Sequence, residues 1–391
     1  MVINECQVCG ATEWTALPDP NKHQSVTTAS RILNEPLGKS QCNSCGFVQR
    51  TRIEFLGLTD YYEQDYATYY ERPGTDLFHK KRYAAIVDWM KSYLDPASSL
   101  KKQIDIGCGQ GWAMEAIREY YPGSVIEGLE PSHYNVKIAR EKGFRIYEGK
   151  MEDTEVESGS YDLVFSNNVI QHVNNAKAFL LQLKTLLADD GVMVITCPDG
   201  SRPNIEILWG DQNFSFLPMN LLKLAEDIGF KTVFWTSSAD SPSLPPAQLL
   251  LMTNNKNYEH LHLNRDAMDI PLADIFRKRA DYLSSFEKIN EYLMQHIPEG
   301  AKVYNFGASY WTSVLAAYCP DYWKKTTACL VDEDTGNSKF LGKDVQLYNS
   351  ITPGENDVLV IGTGPGWQKN LQEKLSGKWK NIVTWDSFIN Y

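Results

Sequence analysis

The chain has 391 residues, 43% of them hydrophobic and 12% aromatic, enough apolar material for more than one buried core and for two or three domains. A formal net charge of −11 argues against nucleic acid as a partner, because sequence-independent affinity for phosphate backbones needs clustered Lys and Arg. No uninterrupted apolar run approaches the roughly 18 residues that span a bilayer, and the opening MVINECQVCG lacks the basic start and apolar middle of a secretory signal. The sequence therefore predicts a cytoplasmic protein with no membrane partner that acts on a small molecule.

Four of the eight cysteines fall in two matching pairs, CQVCG (Cys6, Cys9) and CNSCG (Cys42, Cys45); the other four are scattered singly. Each CxxCG puts two thiolates on one tight turn, with Gly10 or Gly46 free to take positive φ behind them. Two such turns complete a tetrahedral, closed Zn²⁺ site, and structural zinc is the reading adopted for this segment. The run YYEQDYATYYERPG follows, with Tyr61, Tyr62, Tyr66, Tyr69 and Tyr70 too dense for one helix face. An amphipathic ring with a hydroxyl suits a lid over a half-polar ligand as well as it suits packing between domains. Residues 76–94 carry apolar residues at helical spacing and lead into the next domain.

Strand and helix patterns then alternate: KQIDIGC, WAMEAIREYY, SVIEGLEPS, NVKIAREKG, FRIYEG, YDLVFSNNV, AKAFLLQLKTLL and GVMVITCPD. That order builds a mostly parallel sheet with helices on both faces, a doubly wound α/β fold. The loop after its first strand reads Gly107, Gly109, Gly111, preceded by Asp105. A dinucleotide fingerprint would read GxGxxG and deliver a pyrophosphate to a helix N-terminus. An acid beside that loop repels phosphate and favours a cationic ligand bearing an amino group. Glu130, ending the second strand, stands where a carboxylate accepts hydrogen bonds from both ribose hydroxyls of an adenosine. Taken with Met151 and Glu152 after the third strand and Asn167 in the fourth, these residues resemble those of class I S-adenosylmethionine-dependent methyltransferases, which implies that all eight positions line a cofactor site.

The paired cysteines, the tyrosine run, this core and a C-terminal segment with NFGASYWTSVLAAY and NDVLVIG together resemble the three-domain, zinc-containing C-methyltransferases of nucleotide-linked ketosugars. The resemblance implies a zinc module with a tyrosine-rich lid over residues 1–75, a methyltransferase domain over 76–255 and a second Rossmann-like domain over 256–391. It also implies a nucleotide sugar as acceptor, methylated at carbon through an enolate. That family's presumed catalytic histidine aligns with Gln212, beside Trp209 and Asp211 on the substrate side, and a glutamine takes no proton at neutral pH. His172, after the fourth strand, matches a histidine of that family's motif and is the first candidate for a replacement base, with capping or packing of the following helix as the other reading of it; Tyr66 is the second candidate, as proton donor or enolate-orienting hydroxyl. The other histidines are assigned to the surface.

From residue 256 onward strands and helices alternate again, but only Gly307 stands in the first loop, so a dinucleotide is not expected there. That region reads equally as a wall of the acceptor site and as scaffold. Transfer to oxygen or nitrogen of another metabolite stays open, as do a non-catalytic sugar-nucleotide-binding relative and a nicotinamide-dependent reductase.

Overall fold

The computed structural model describes residues 5–51, 58–63, 75–94, 100–238, 246–263, 268, 270–333, 336 and 338–389. The chain forms two compact units, each assembled from separate pieces: Met1–Thr15, Ser40–Arg202 and Gln212–Ile275 in the first, Ala16–Lys39, Pro203–Asp211 and Phe276–Tyr391 in the second. The N-terminal block of 75 residues expected as one module is thus shared between the two units.

The first unit is built on a seven-stranded sheet. Its strands are β1 (Lys102–Ile106), β2 (Val125–Glu130), β3 (Arg145–Glu148), β4 (Tyr161–Asn167), β5 (Leu187–Pro198), β6 (Thr232–Ser237) and β7 (Ala247–Thr253), in the order β6-β7-β5-β4-β1-β2-β3. The five strands from β1 to β5 pair in parallel, and β7 pairs antiparallel with both β5 and β6. Helices α1 (Thr75–Lys91), α2 (Trp112–Tyr120), α3 (His133–Glu141), α4 (Ala176–Leu186) and α5 (Pro218–Asp227) accompany it. Every residue of β4 except Asp162 is buried, as a strand covered on both faces requires. In α4 the buried residues Ala176, Phe179, Leu180, Leu183 and Leu186 recur at intervals of three or four, and Asn175 caps the helix by accepting from the Ala178 N–H at 2.8 Å. Those are the two local conditions for an amphipathic helix with a defined start.

Strands β6 and β7 lie beyond the expected elements, although KTVFWTS and AQLLLMT carry the β-branched, aromatic and apolar residues that favour strands. Their antiparallel pairing extends the sheet past β5. A smaller sheet joins Trp14–Ala16, Lys39–Cys42, Val48–Arg50 and Phe214–Ser215. Cys6, Val8, Cys42 and Phe47 share one continuous apolar core with Ile104, Leu129, Val164 and Phe214, so the cysteine turns grow out of the main core.

The second unit is built on a six-stranded sheet of β8 (Val303–Phe306), β9 (Thr326–Val331), β10 (Lys339–Phe340), β11 (Lys343–Leu347), β12 (Val358–Ile361) and β13 (Asn381–Val383). Their order is β10-β11-β9-β8-β12-β13, parallel except for the β10–β11 hairpin. Its helices are α6 (Leu272–Gln295), which begins at the unit boundary, α7 (Tyr310–Tyr318), α8 (Pro320–Lys325) and α9 (Pro365–Leu375). The two earlier chain segments are tied into it: Asn21 Nδ2 donates to the Ala317 carbonyl at 2.7 Å, and the Tyr318 hydroxyl donates to the Leu208 carbonyl at 2.5 Å. Among the described residues, no helix is long and apolar enough to cross a membrane.

Candidate functional site

The loop Gly107–Gly111 joins β1 to α2, and its backbone explains its glycines. Gly107, Gly109 and Gly111 have φ of 75°, 52° and 80°, left-handed values that side chains resist. At Gly107 a methyl group would also stand 2.3 Å from Val169 Cγ2, whereas at Gly109 nothing lies within 4 Å. The Gly107 N–H donates to the Leu129 carbonyl at 2.7 Å, which ties the loop to β2. Gly111 is the N-cap of α2 and supplies no side-chain acceptor, so the first N–H groups of that helix have no side-chain cap.

Two carboxylates stand at the ends of the neighbouring strands. Asp105 on β1 is 2% exposed, and its Oδ1 has no hydrogen-bond partner. Burial, reinforced by the nearby Glu130 charge, pushes its carboxyl up to about 8. Glu130, closing β2, accepts from the Gly109 N–H at 2.9 Å through Oε2 and from the Ser132 N–H at 3.1 Å through Oε1. Burial raises the Glu130 carboxyl despite those bonds. Cys108 between them is buried, and burial with both carboxylates nearby raises its thiol, which makes it a poor nucleophile.

At the end of β4, Asn167 Oδ1 accepts from the Thr196 hydroxyl at 2.6 Å, while its Nδ2, also buried, has no partner. Met151 is half-buried against the core and Glu152 is exposed, both in the turn after β3. Gln171 is 1% exposed with neither end of its amide hydrogen-bonded. Nothing in its sequence neighbourhood distinguishes that glutamine from a surface one. An unpaired buried amide is costly, and orphaned polar atoms of Asp105, Asn167 and Gln171 all occur on β1, on β4 or just beyond β4.

His172 is half-buried, and the Tyr62 hydroxyl lies 3.1 Å from its Nδ1. Its carbonyl and that of Val173 accept from Asn213 Nδ2 at 3.0 and 3.2 Å. Tyr66, the other acid–base candidate, lies outside the described residues. The substrate-side residues divide: Gln212, 3% exposed, belongs to the first unit, whereas Trp209 and Asp211 belong to the second. There Trp209 meets Tyr310 edge-on, with ring centroids 6.5 Å apart, and Asp211 accepts from the Thr28 N–H at 2.9 Å and from its hydroxyl. One surface assignment needs correcting: His79 is 4% exposed, buried on the inner side of α1.

The sulfurs of Cys6, Cys9, Cys42 and Cys45 all lie within 4.8 Å of one another. Four thiolates at Zn–S distances of about 2.3 Å around a tetrahedral ion stand roughly 3.8 Å apart. The two turns repeat the same hydrogen bonds. The Gly10 N–H donates to Cys6 and the Gly46 N–H to Cys42, each at 2.9 Å; the Cys6 and Cys42 N–H groups donate to Ala11 and Phe47, each at 2.8 Å. A hydrogen bond from Cys45 pulls the Cys6 thiol down to about 5, the same bond pushes Cys45 up, and burial raises Cys42.

Residues 78–234 match the family model of a methyltransferase domain. Among curated proteins the chain is similar to a "Probable (S)-tetrahydroprotoberberine N-methyltransferase 2" of Papaver bracteatum, 31% identical over 24% of this chain and 27% of that protein. It is also similar to a trans-aconitate 2-methyltransferase of Delftia acidovorans, 26% identical over 27% of this chain and 41% of that protein. The chain thus spans less than half the length of either relative. Among solved structures, a phosphoethanolamine N-methyltransferase 2 of Haemonchus contortus in complex with S-adenosyl-L-methionine is 13% identical, with a TM-score of 0.42, over 57% of this chain and 63% of that one.

Proposed function

We propose that this chain, which carries a class I S-adenosylmethionine-dependent methyltransferase domain, methylates a small molecule, and that the acceptor is a nucleotide-linked ketosugar methylated at carbon. The cofactor part of this reading is carried by one observation: the buried Asp105 Oδ1, without a partner beside a glycine loop of positive φ. A cationic, amino-bearing ligand gives that carboxyl a charge-assisted partner, stronger than a neutral donor supplies, and an anion is repelled by it.

Bound there, S-adenosylmethionine supplies an electrophilic methyl group on a sulfonium. The residues that hold it are Asp105 for the amino group, the Gly107–Gly111 backbone and Glu130 for the amino-acid and ribose portions, Met151 and Glu152 for the adenine, and Asn167 beside the reacting end. His172 removes the acceptor's proton, and the closed apolar core beneath keeps the donors rigid, so that positioning supplies a large share of the acceleration. The ketosugar acceptor rests on the resemblance of the cysteine pairs, the tyrosine run, the methyltransferase core and the C-terminal segment to that family, from which Gln212 departs at the position of the family histidine. The relatives' names support keeping a second reading beside it, transfer to oxygen or nitrogen of another small metabolite. Within the same proposal the four cysteines hold one structural Zn²⁺, which requires a reducing, cytoplasmic setting to keep the sulfurs unoxidised.

The test is a thermal-shift comparison of S-adenosylmethionine, its demethylated product and NADPH, followed by mass spectrometry of nucleotide sugars incubated with protein and labelled cofactor. Stabilisation by the first two alone and a labelled sugar are expected. Stabilisation by NADPH only would overturn the cofactor reading; label on other metabolites alone would overturn the acceptor.

A further inference from the structure

The tyrosine run meets the base candidate through a residue other than Tyr66. Tyr61 and Tyr62 lie on the short helix Leu58–Glu63. Tyr61 is fully buried and anchors the segment, and its ring meets that of Tyr62 edge-on at 5.0 Å. So held, Tyr62 sets its hydroxyl 3.1 Å from His172 Nδ1, with the two rings at 85° and 6.1 Å between centroids. The backbone of His172 is fixed independently. Its N–H donates to the Val169 carbonyl at 2.8 Å, and Asn213, 2% exposed, holds its carbonyl. The main chain and one ring nitrogen of this histidine are therefore both constrained.

We propose that Tyr62 is a positioning residue that sets the tautomer of His172. The hydroxyl oxygen accepts the Nδ1 hydrogen, which leaves the lone pair on Nε2. This rests on the reading of His172 as the base and adds the group that makes it one. When the acceptor's C–H bond breaks, its electron pair stays on the acceptor and the proton passes to Nε2. The resulting imidazolium keeps its Nδ1–H on the Tyr62 oxygen, a bond that strengthens as the ring becomes charged. A carboxylate in that place would bind the imidazolium more strongly; a phenol oxygen orients it without adding a fixed charge.

The experiment uses the full chain labelled with ¹⁵N-histidine, with long-range proton–nitrogen correlation spectra reporting which ring nitrogen of His172 carries hydrogen. Comparison with a His172→Gln spectrum assigns the signals. The expected result is an Nδ1–H ring in the wild type and a shift toward the Nε2–H form in Tyr62→Phe, which keeps the ring packed on Tyr61. S-adenosylmethionine affinity should stay within about twofold, because the contact is to the base and not to the cofactor residues. An Nε2–H ring in the wild type, or the same tautomer in both proteins, would overturn the proposal, as would a tenfold loss of cofactor affinity in Tyr62→Phe. The tautomer is read without cofactor or acceptor, so its failure is distinguishable from failure of the methyl-transfer reading.

Discussion

At the scale of single residues, Asp105 makes the sharpest prediction. Its carboxyl is raised from about 3.8 to about 8 in the fold, so the folded state keeps a proton that the unfolded chain has lost. The stability this gives is complete below about pH 4 and disappears as the pH rises toward 8. A cationic ligand needs the carboxylate, so binding expels that proton. Affinity for S-adenosylmethionine should therefore rise between pH 6 and 7, by up to about tenfold. Asp105→Asn should bind about 10–100-fold more weakly, having lost a charge-assisted hydrogen bond, and should show no such slope. Calorimetry in buffers of different ionisation enthalpy measures the proton directly. The glycines of the loop give a second, contrasting pair. Gly107→Ala meets both a left-handed φ and Val169 at 2.3 Å, Gly109→Ala only the φ. Losses of about 2–4 and about 1–2 kcal/mol are expected, read by chemical denaturation.

Elements show where the sequence was readable and where it was not. Strands β1 to β5 and helices α2 to α4 follow from alternation of apolar runs with amphipathic segments, because parallel strands buried on both faces leave an uninterrupted apolar signature. Asp105, the three glycines and Glu130 were legible because strand ends and loop glycines mark a position along the chain as well as a chemistry. Tyr62 and Gln171 were not, since what sets them apart is which tertiary neighbour they meet or lack. Adjacent residues also part company: Asp211 and Gln212 fall in different units, a division that sequence spacing cannot show. The cysteine turns give an element-scale prediction. Because Cys6 and Cys42 share a core with Ile104, Leu129 and Phe214, stripping the proposed zinc with a chelator should lower the melting temperature of the whole first unit, without releasing a separate module. Metal analysis should find about one zinc per chain. A holo-like melting curve after complete metal loss would contradict a structural role.

For the whole molecule, the decisive fact is that neither unit is contiguous. The chain changes unit after Thr15, Lys39, Arg202, Asp211 and Ile275. A chain ended at Ile275 keeps Asn21, Leu208 and Trp209 but loses Ala317, Tyr318 and Tyr310, which they bond or pack against. Such a truncated chain should aggregate or melt well below the full-length protein, and limited proteolysis of the native protein should yield no stable fragment ending near residue 275. A soluble, cooperatively melting 1–275 fragment would show that the early segments need no partner.

The same interleaving governs how the protein is made. Residues 16–39 and residues 203–211 both leave the ribosome before every strand of the six-stranded sheet in the unit they belong with. At about 5–20 residues per second, the stretch from Asp211 to Val383 occupies roughly 10–35 s of synthesis. Through that interval the first unit must assemble its seven-stranded sheet around excursions that have nowhere to dock. Long-range closure of this kind slows folding and leaves apolar surface such as Val26, Leu33 and Leu208, buried in the finished protein, open to solvent. Slower translation would prolong that exposure, so expression yield in this fold should respond to elongation rate and chaperone supply more than the native stability of either unit would suggest.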